Sequence, residues 1–259
     1  MKKLVIAVVV LAVVIVIAWR FSGTGSKSTS SNPLEAGAAW AAPDPGLGWM
    51  NKEGIVTAPE TGASMTFWNF GRRATREDSA VSEEGHTQLM ILGGSVAQGY
   101  GVTDAETFAT LLAGQFPDYA FENFGTGGYS VDQAKTLGER AFDQLYKGPK
   151  PQLVILAYQS SGAATAEDVA ATKKAIADLE AFVKSKEGLF VAVTVEDKSG
   201  MAKQVFEGAD YTHTDCSASV GSNMQKDGVN PNAAGHKELS ECIAEWMGAA
   251  VTPLLAPSE

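Results

Sequence analysis

Gln88-Leu89-Met90-Ile91-Leu92-Gly93-Gly94-Ser95 is the stretch on which the fold turns. A short apolar run without polar alternation reads as a strand buried on both faces, and the paired glycines end it in a tight turn. The period then changes. Thr103-x-x-Glu106 has the spacing of a helix capping box, and Phe108, Leu111, Leu112 and Phe116 recur at helical intervals after it. The same alternation continues down the chain. Tyr119 to Phe124 reads as a second strand, and Val131 to Lys147 as a helix with Ala134, Leu137, Ala141, Phe142 and Leu145 on one face. Gln152 to Tyr158 is a strongly apolar third strand. Thr165 opens a long helix carrying Val169, Ile176, Leu179 and Val183, and Leu189 to Val195 is a fourth, Val-rich strand. A fifth strand is only weakly signalled, between about Val205 and Cys216. A last helix is expected from Asn230-Pro231 to about Ala250, with Asn230 as its cap and Pro231 as its first residue. Strands alternating with helices imply an α/β fold: a mostly parallel sheet covered on both faces, a three-layer α/β/α sandwich over residues 88–252. Sites in such sheets form where loops leave the C-terminal strand ends.

Upstream, residues 43–87 include Pro43-Asp44-Pro45-Gly46-Leu47-Gly48-Trp49 and show neither helical nor strand periodicity. They read as an irregular preface that packs on the main domain. Residues 22–42 begin with Ser, Gly, Thr and Lys and have the composition of a flexible tether. Residues 1–21 hold Lys2 and Lys3, then an unbroken apolar run from Leu4 to Trp19, then Arg20. At about 1.5 Å rise per residue such a run nearly spans a bilayer core. No small-x-small cleavage site and no cysteine follow it closely. An uncleaved transmembrane anchor is therefore expected, with a cleaved signal peptide as the alternative. Either places the rest of the chain outside the cytoplasm, on the periplasmic or cell-surface face.

The chain has 259 residues and a formal net charge of −10, with no basic block. Nucleic acid and anionic lipid surfaces are poor partners for it, because both require clustered Lys and Arg. Its two cysteines, Cys216 and Cys242, lie in a compartment where a disulfide can form, and unpaired thiols remain the alternative. No cofactor is expected, and neither the histidines nor the cysteines show metal-ligand spacing.

Three of the strand-end loops carry chemistry. Ser95 follows the first strand directly, and the glycines before it allow a sharp turn that exposes Oγ, as a nucleophile requires. The second strand ends in Asn123-Phe124-Gly125-Thr126-Gly127-Gly128-Tyr129-Ser130, where glycines permit close approach of a backbone N–H to a substrate oxygen. Near the C-terminus stands Asp227-Gly228-Val229-Asn230-Pro231-Asn232-Ala233-Ala234-Gly235-His236. Singly, each reads as an ordinary turn or cap. Their order carries more weight.

That order resembles the SGNH (GDSL-type) hydrolases over roughly Leu89 to Met247. The resemblance implies a flavodoxin-like sheet, Ser95 as nucleophile and as one oxyanion donor, Gly125 as the oxyanion-hole glycine, and Asp227 as the acid of the triad. It also implies an ester substrate, either a small molecule or an O-acetylated glycan, for an esterase or acyl transferase. The chain departs from the family at two positions. Asn230 stands where the catalytic histidine is expected. After the third strand the chain reads Tyr158-Gln159-Ser160-Ser161-Gly162, so Ser161 marks the degenerate position of the oxyanion asparagine, with Gln159, Ser160 or Ser161 as substitute donors. An asparagine amide cannot accept a proton at neutral pH, and a serine hydroxyl without a base is a poor nucleophile. His236, inside the expected helix, and His213, in Tyr211-Thr212-His213-Thr214-Asp215, are distant alternatives for the base, while His86 sits at the wrong end of the first strand. A catalytically silent relative that binds a glycan or an envelope protein is the competing expectation.

Overall fold

The computed structural model describes residues 32–77, 79, 86–146, 151–160 and 165–255. The expected anchor over Leu4 to Trp19, residues 22–31 of the expected 22–42 tether, and Ser161 lie outside the described residues; the rest of that stretch is not a tether, because Trp40 is buried in a core cluster and Ala41 begins a strand. Among those described, no helix is long and apolar enough to cross a membrane.

The alternating pattern gives alternating elements. Strands β5 (Thr87–Gly93), β6 (Tyr119–Asn123), β7 (Leu153–Ser160), β8 (Leu189–Asp197) and β9 (Thr212–Asp215) form one sheet in the order β6-β5-β7-β8-β9. Every pairing in it is parallel. Leu89, Met90, Ile91 and Leu92 are all 0% exposed, which is why this strand reads as a continuous apolar run: both of its faces are covered. On one face Met90, Leu92 and Leu156 pack against Leu137 of helix α3 (Val131–Gln144) and Ile176 and Leu179 of α4 (Ala166–Ser185). On the other, Leu89, Ile91 and Ile155 meet Phe108 and Leu112 of α2 (Phe108–Gln115) and Leu239 and Ile243 of α6 (Ala233–Trp246). Each such aliphatic side chain, once fully buried, contributes about 1.5–3 kcal/mol. Two shorter helices, α1 (Ser95–Gln98) and α5 (Ala202–Phe206), complete the sandwich.

The preface differs from its expectation. Residues 41–67 are not irregular but form two antiparallel hairpins, β1 (Ala41–Asp44) with β2 (Gly48–Asn51) and β3 (Gly54–Thr57) with β4 (Ser64–Phe67). Strands of four residues are too short to display alternation. The turn between β1 and β2 is held by Asp44, whose Oδ1 accepts the N–H groups of Gly46 and Leu47, both at 2.9 Å. The hairpins bury their own cluster of Trp40, Trp49, Met65 and Phe67, and Arg73 bridges Phe67 to Asn123 at the edge of the main sheet.

Two helix starts also move. The Thr103–Glu106 box closes only a 3-10 turn, Asp104–Glu106, and α2 begins at Phe108 under its own cap, Thr107. The last helix is capped by Asn232, not Asn230: Asn232 Oδ1 accepts the Gly235 N–H at 3.1 Å. Pro231 lies before it, in a bridge with Met224. Asn230 is thereby released from capping and becomes part of the site loop.

Cys216, just past β9, and Cys242, in α6, are joined by a disulfide with a Cα–Cα distance of 5.9 Å across 26 residues. Closing a loop of that length removes chain entropy from the unfolded state worth about 3.5 kcal/mol. Urea melts of the oxidised chain, the reduced chain and Cys216→Ser/Cys242→Ser should differ by about that amount, with the last two alike. A loss below about 1 kcal/mol would refute a stapling role.

Candidate functional site

The sheet order reverses at β5 and β7, so the loops leaving their C-terminal ends diverge and open a crevice. Ser95 and Gln159 stand on its two sides. Gly93 must be glycine because a Cβ there would lie 2.5 Å from the Ala157 carbonyl oxygen, and a Cβ on Gly94 would lie 2.8 Å from Gln159 Oε1. The turn therefore brings the start of α1 directly onto the end of β7.

Gln159 is the residue that meets the serine. Its Oε1 accepts the Val96 N–H at 3.1 Å, which fixes the amide so that Nε2 donates to Ser95 Oγ at 3.2 Å. Among the described residues the donor opposite the serine is thus Gln159, one of the substitutes expected. Ser160 is turned aside and bonds the Ser199 hydroxyl. An irregularity in the β7–β8 pairing, where Gln159 aligns with Glu196 after Tyr158 has aligned with Thr194, produces this placement.

Gly125 does not have the geometry of an oxyanion donor. Its N–H donates to Asn123 Oδ1 at 2.9 Å, and a Cβ on it would lie 2.3 Å from the backbone of Ala97 and Gln98. It is glycine because α1 rests on it. Asn123 ties the two loops further by donating Nδ2 to the Ala97 carbonyl at 2.8 Å. The β1–β2 hairpin braces the same region: Asn51 Nδ2 donates to Gly125 O at 2.8 Å, Gln98 Nε2 donates to Asn51 Oδ1 at 2.6 Å, and Trp49 Nε1 donates to Gly127 O at 3.0 Å. Nothing in a lone asparagine after Trp49-Met50 signals the part that Asn51 plays.

The third loop pairs Asp227 with Asn230. Asp227 Oδ1 accepts the N–H groups of Val229 (2.8 Å) and Asn230 (2.9 Å), and its Oδ2 accepts Asn230 Nδ2 at 2.7 Å. Partial desolvation works to raise the Asp227 pKa, but these donors together with Lys198 hold it below the usual carboxylate value. Asn230 is buried, and its Oδ1 has no hydrogen-bond partner. The carboxylate thus orients an amide as it would orient an imidazole. Gln225 fastens this loop to the nucleophile loop by donating to Tyr100 O at 2.5 Å and Pro231 O at 2.9 Å. At position 230 the side chain offers a hydrogen-bond acceptor, the amide Oδ1, but no group basic enough to take a proton at neutral pH.

The histidines lie elsewhere. His236 is completely buried against Phe108, with ring centroids 6.0 Å apart, and its Nδ1 accepts the Phe108 N–H at 3.3 Å. His213 stacks on Phe206 at 3.8 Å, and its Nε2 shares a hydrogen bond with Thr194 Oγ1, on the sheet face away from α1. His86 is exposed before β5. None of the three hydrogen-bonds Ser95.

A serine at the switch point of a five-stranded parallel sheet, with an acidic loop before the final helix, defines the SGNH hydrolase fold. The solved structures agree. The chain is similar to a protein of Desulfitobacterium hafniense DCB-2 assigned to the lipolytic G-D-S-L family, at 14% identity and TM-score 0.51, covering 62% of this chain and 99% of that one. It is similar to TesA at 14% identity and TM-score 0.51, covering 62% and 97%. It is similar to a two-domain esterase active on acetylated mannans at 18% identity and TM-score 0.51, covering 64% of this chain and half, 50%, of that one. No family model and no curated protein matches the chain. At such identities the likeness is one of fold.

Proposed function

We propose that the chain is an SGNH-type carboxylic-ester hydrolase or acyl transferase with Ser95 as nucleophile, acting slowly on an extracytoplasmic ester such as an O-acetylated glycan. The observation that carries this reading is the Ser95 hydroxyl, set at the sheet's switch point and held by Gln159 Nε2 at 3.2 Å. Ser95 Oγ would attack the acyl carbonyl, and the alcohol would leave as an acyl-serine forms. Water or a second hydroxyl would then take the acyl group. The Gln159 amide and the Ser95 backbone N–H would stabilise the oxyanion. With Asn230 in the base position, the serine proton has to pass to water, which makes acylation slow. The acetylated mannans of the two-domain esterase suggest the glycan class, and the apolar run Leu4 to Trp19 suggests attachment to a membrane.

A fluorophosphonate probe should label the purified chain, and Ser95→Ala should lose the label completely. No labelling, together with no turnover of simple acetyl esters, would eliminate the reading. The buried, unpartnered Asn230 Oδ1 favours a second reading, retention of a hydroxyl-bearing glycan without hydrolysis. In that case Ser95→Ala would leave glycan binding intact.

A further inference from the structure

Beside the Asp227–Asn230 loop, on its β9 side, lies a cavity of about 220 Å³ that none of the chemistry above uses. Val195, Val220, Met224 and Pro231 give it apolar walls, and Glu196, Asp197 and Lys198 are its charged residues. Ser95, Gln159 and Asn230 are not among its lining residues. Its volume is several times the ~30 Å³ share of one water molecule, enough for roughly six non-hydrogen atoms.

Glu196 is one of the residues that line the cavity. The residue is only 5% exposed. Its Oε1 accepts the Lys198 N–H at 3.1 Å, the Ser160 N–H also approaches the carboxyl and works to lower its pKa, and Oε2 is buried without a hydrogen bond of ordinary geometry. Its neighbour Asp197 is fully engaged, accepting the Met201 N–H at 2.9 Å and the Ala202 N–H at 3.1 Å. An unpartnered buried carboxyl oxygen costs stability that a ligand can restore.

We propose that this cavity is a second ligand site, which takes a small neutral molecule with an apolar body and one hydroxyl group that hydrogen-bonds to Glu196 Oε2. The apolar walls take the body of the ligand, and Lys198, exposed as a residue, also lines the cavity. Burial pushes the Glu196 carboxyl up to about 7, so near neutral pH it both donates to and accepts from a hydroxyl. The site does not depend on Ser95 acting on esters, and it survives the failure of that reading.

Cyclopentanol, with about six non-hydrogen atoms, is a suitable probe. In methyl spectra of the full chain it should cause saturable shifts at Val195, Val220 and Met224. Glu196→Leu should weaken binding at least tenfold. Ala218→Trp, which fills the mouth from an exposed position, should abolish it even if the Glu196 variant folds poorly. Ser95→Ala should leave it unchanged. The proposal is overturned if these methyls do not shift, if Ala218→Trp binds normally, or if the shifts centre on Ala97 beside Ser95.

Discussion

Asn230→His should raise the turnover of a simple acetyl ester by about 10²–10⁴-fold, the range that a positioned general base supplies. The partner for the imidazole is already in place. Asp227 Oδ2 now accepts Asn230 Nδ2 at 2.7 Å, and a histidine at 230 would present Nδ1–H to the same oxygen. The donors around Asp227 hold its pKa below the usual carboxylate value, so it stays ionised at neutral pH and stabilises the imidazolium. The far side of the residue is where Asn230 now carries its unpartnered Oδ1, and there Nε2 would become available as the base. The comparison is kcat/KM on p-nitrophenyl acetate for the wild type, Asn230→His, and Asn230→His with Asp227→Asn. The single variant should gain activity along a limb that rises near the ordinary histidine pKa of about 6.5, and the double variant should lose most of that gain. Equal activity in all three would mean that Ser95 is not presented to position 230.

The sequence displayed the central strands because both of their faces are buried: a residue such as Ile91 or Val193 has no solvent side that would call for a polar neighbour. It displayed β9 poorly for the opposite reason, since Thr212-His213-Thr214-Asp215 is a half-buried edge strand with no apolar run. The order of the loops could be read from the chain: Ser95 follows β5 directly, and Asp227 and Asn230 share the loop before the last helix. What could not be read depends on side-chain direction. Whether the Gly125 N–H faces a substrate or Asn123 Oδ1 is decided by one asparagine rotamer. That Gln159 faces the serine depends on the pairing irregularity beside Tyr158, which no single-residue pattern encodes. Glu196 has no sequence signal because a lone carboxylate at a strand end looks solvated, whereas in the fold it is only 5% exposed.

Below pH 6.5 the buried His236 should make the fold steeply acid-sensitive, and Glu196 should mask part of that sensitivity. Burial, assisted by Arg73, pushes His236 down to about 3, so the folded state keeps it neutral while the unfolded chain protonates it near 6.5. Its contribution is fully present above 6.5 and is lost as the pH falls towards 3, at about 1.4 kcal/mol per pH unit, or roughly 4–5 kcal/mol in all. Glu196 has the opposite sign. Its folded pKa of about 7 lies above the ordinary 4.5, so the folded state holds a proton that the unfolded chain releases, and stability falls as the pH rises from 4.5 to 7, by no more than about 3 kcal/mol. Between 4.5 and 6.5 the two slopes cancel. Glu196→Gln removes one of them, so urea melts of that variant should show stability climbing by about 1.4 kcal/mol per unit across this window, where the wild type is nearly flat. His236→Phe keeps a ring against Phe108 and removes the other slope, so its stability should instead decline from pH 4.5 to 7. Parallel curves for the wild type and Glu196→Gln would show that Glu196 is ionised in the folded chain, and parallel curves for the wild type and His236→Phe would show that His236 takes up a proton without unfolding.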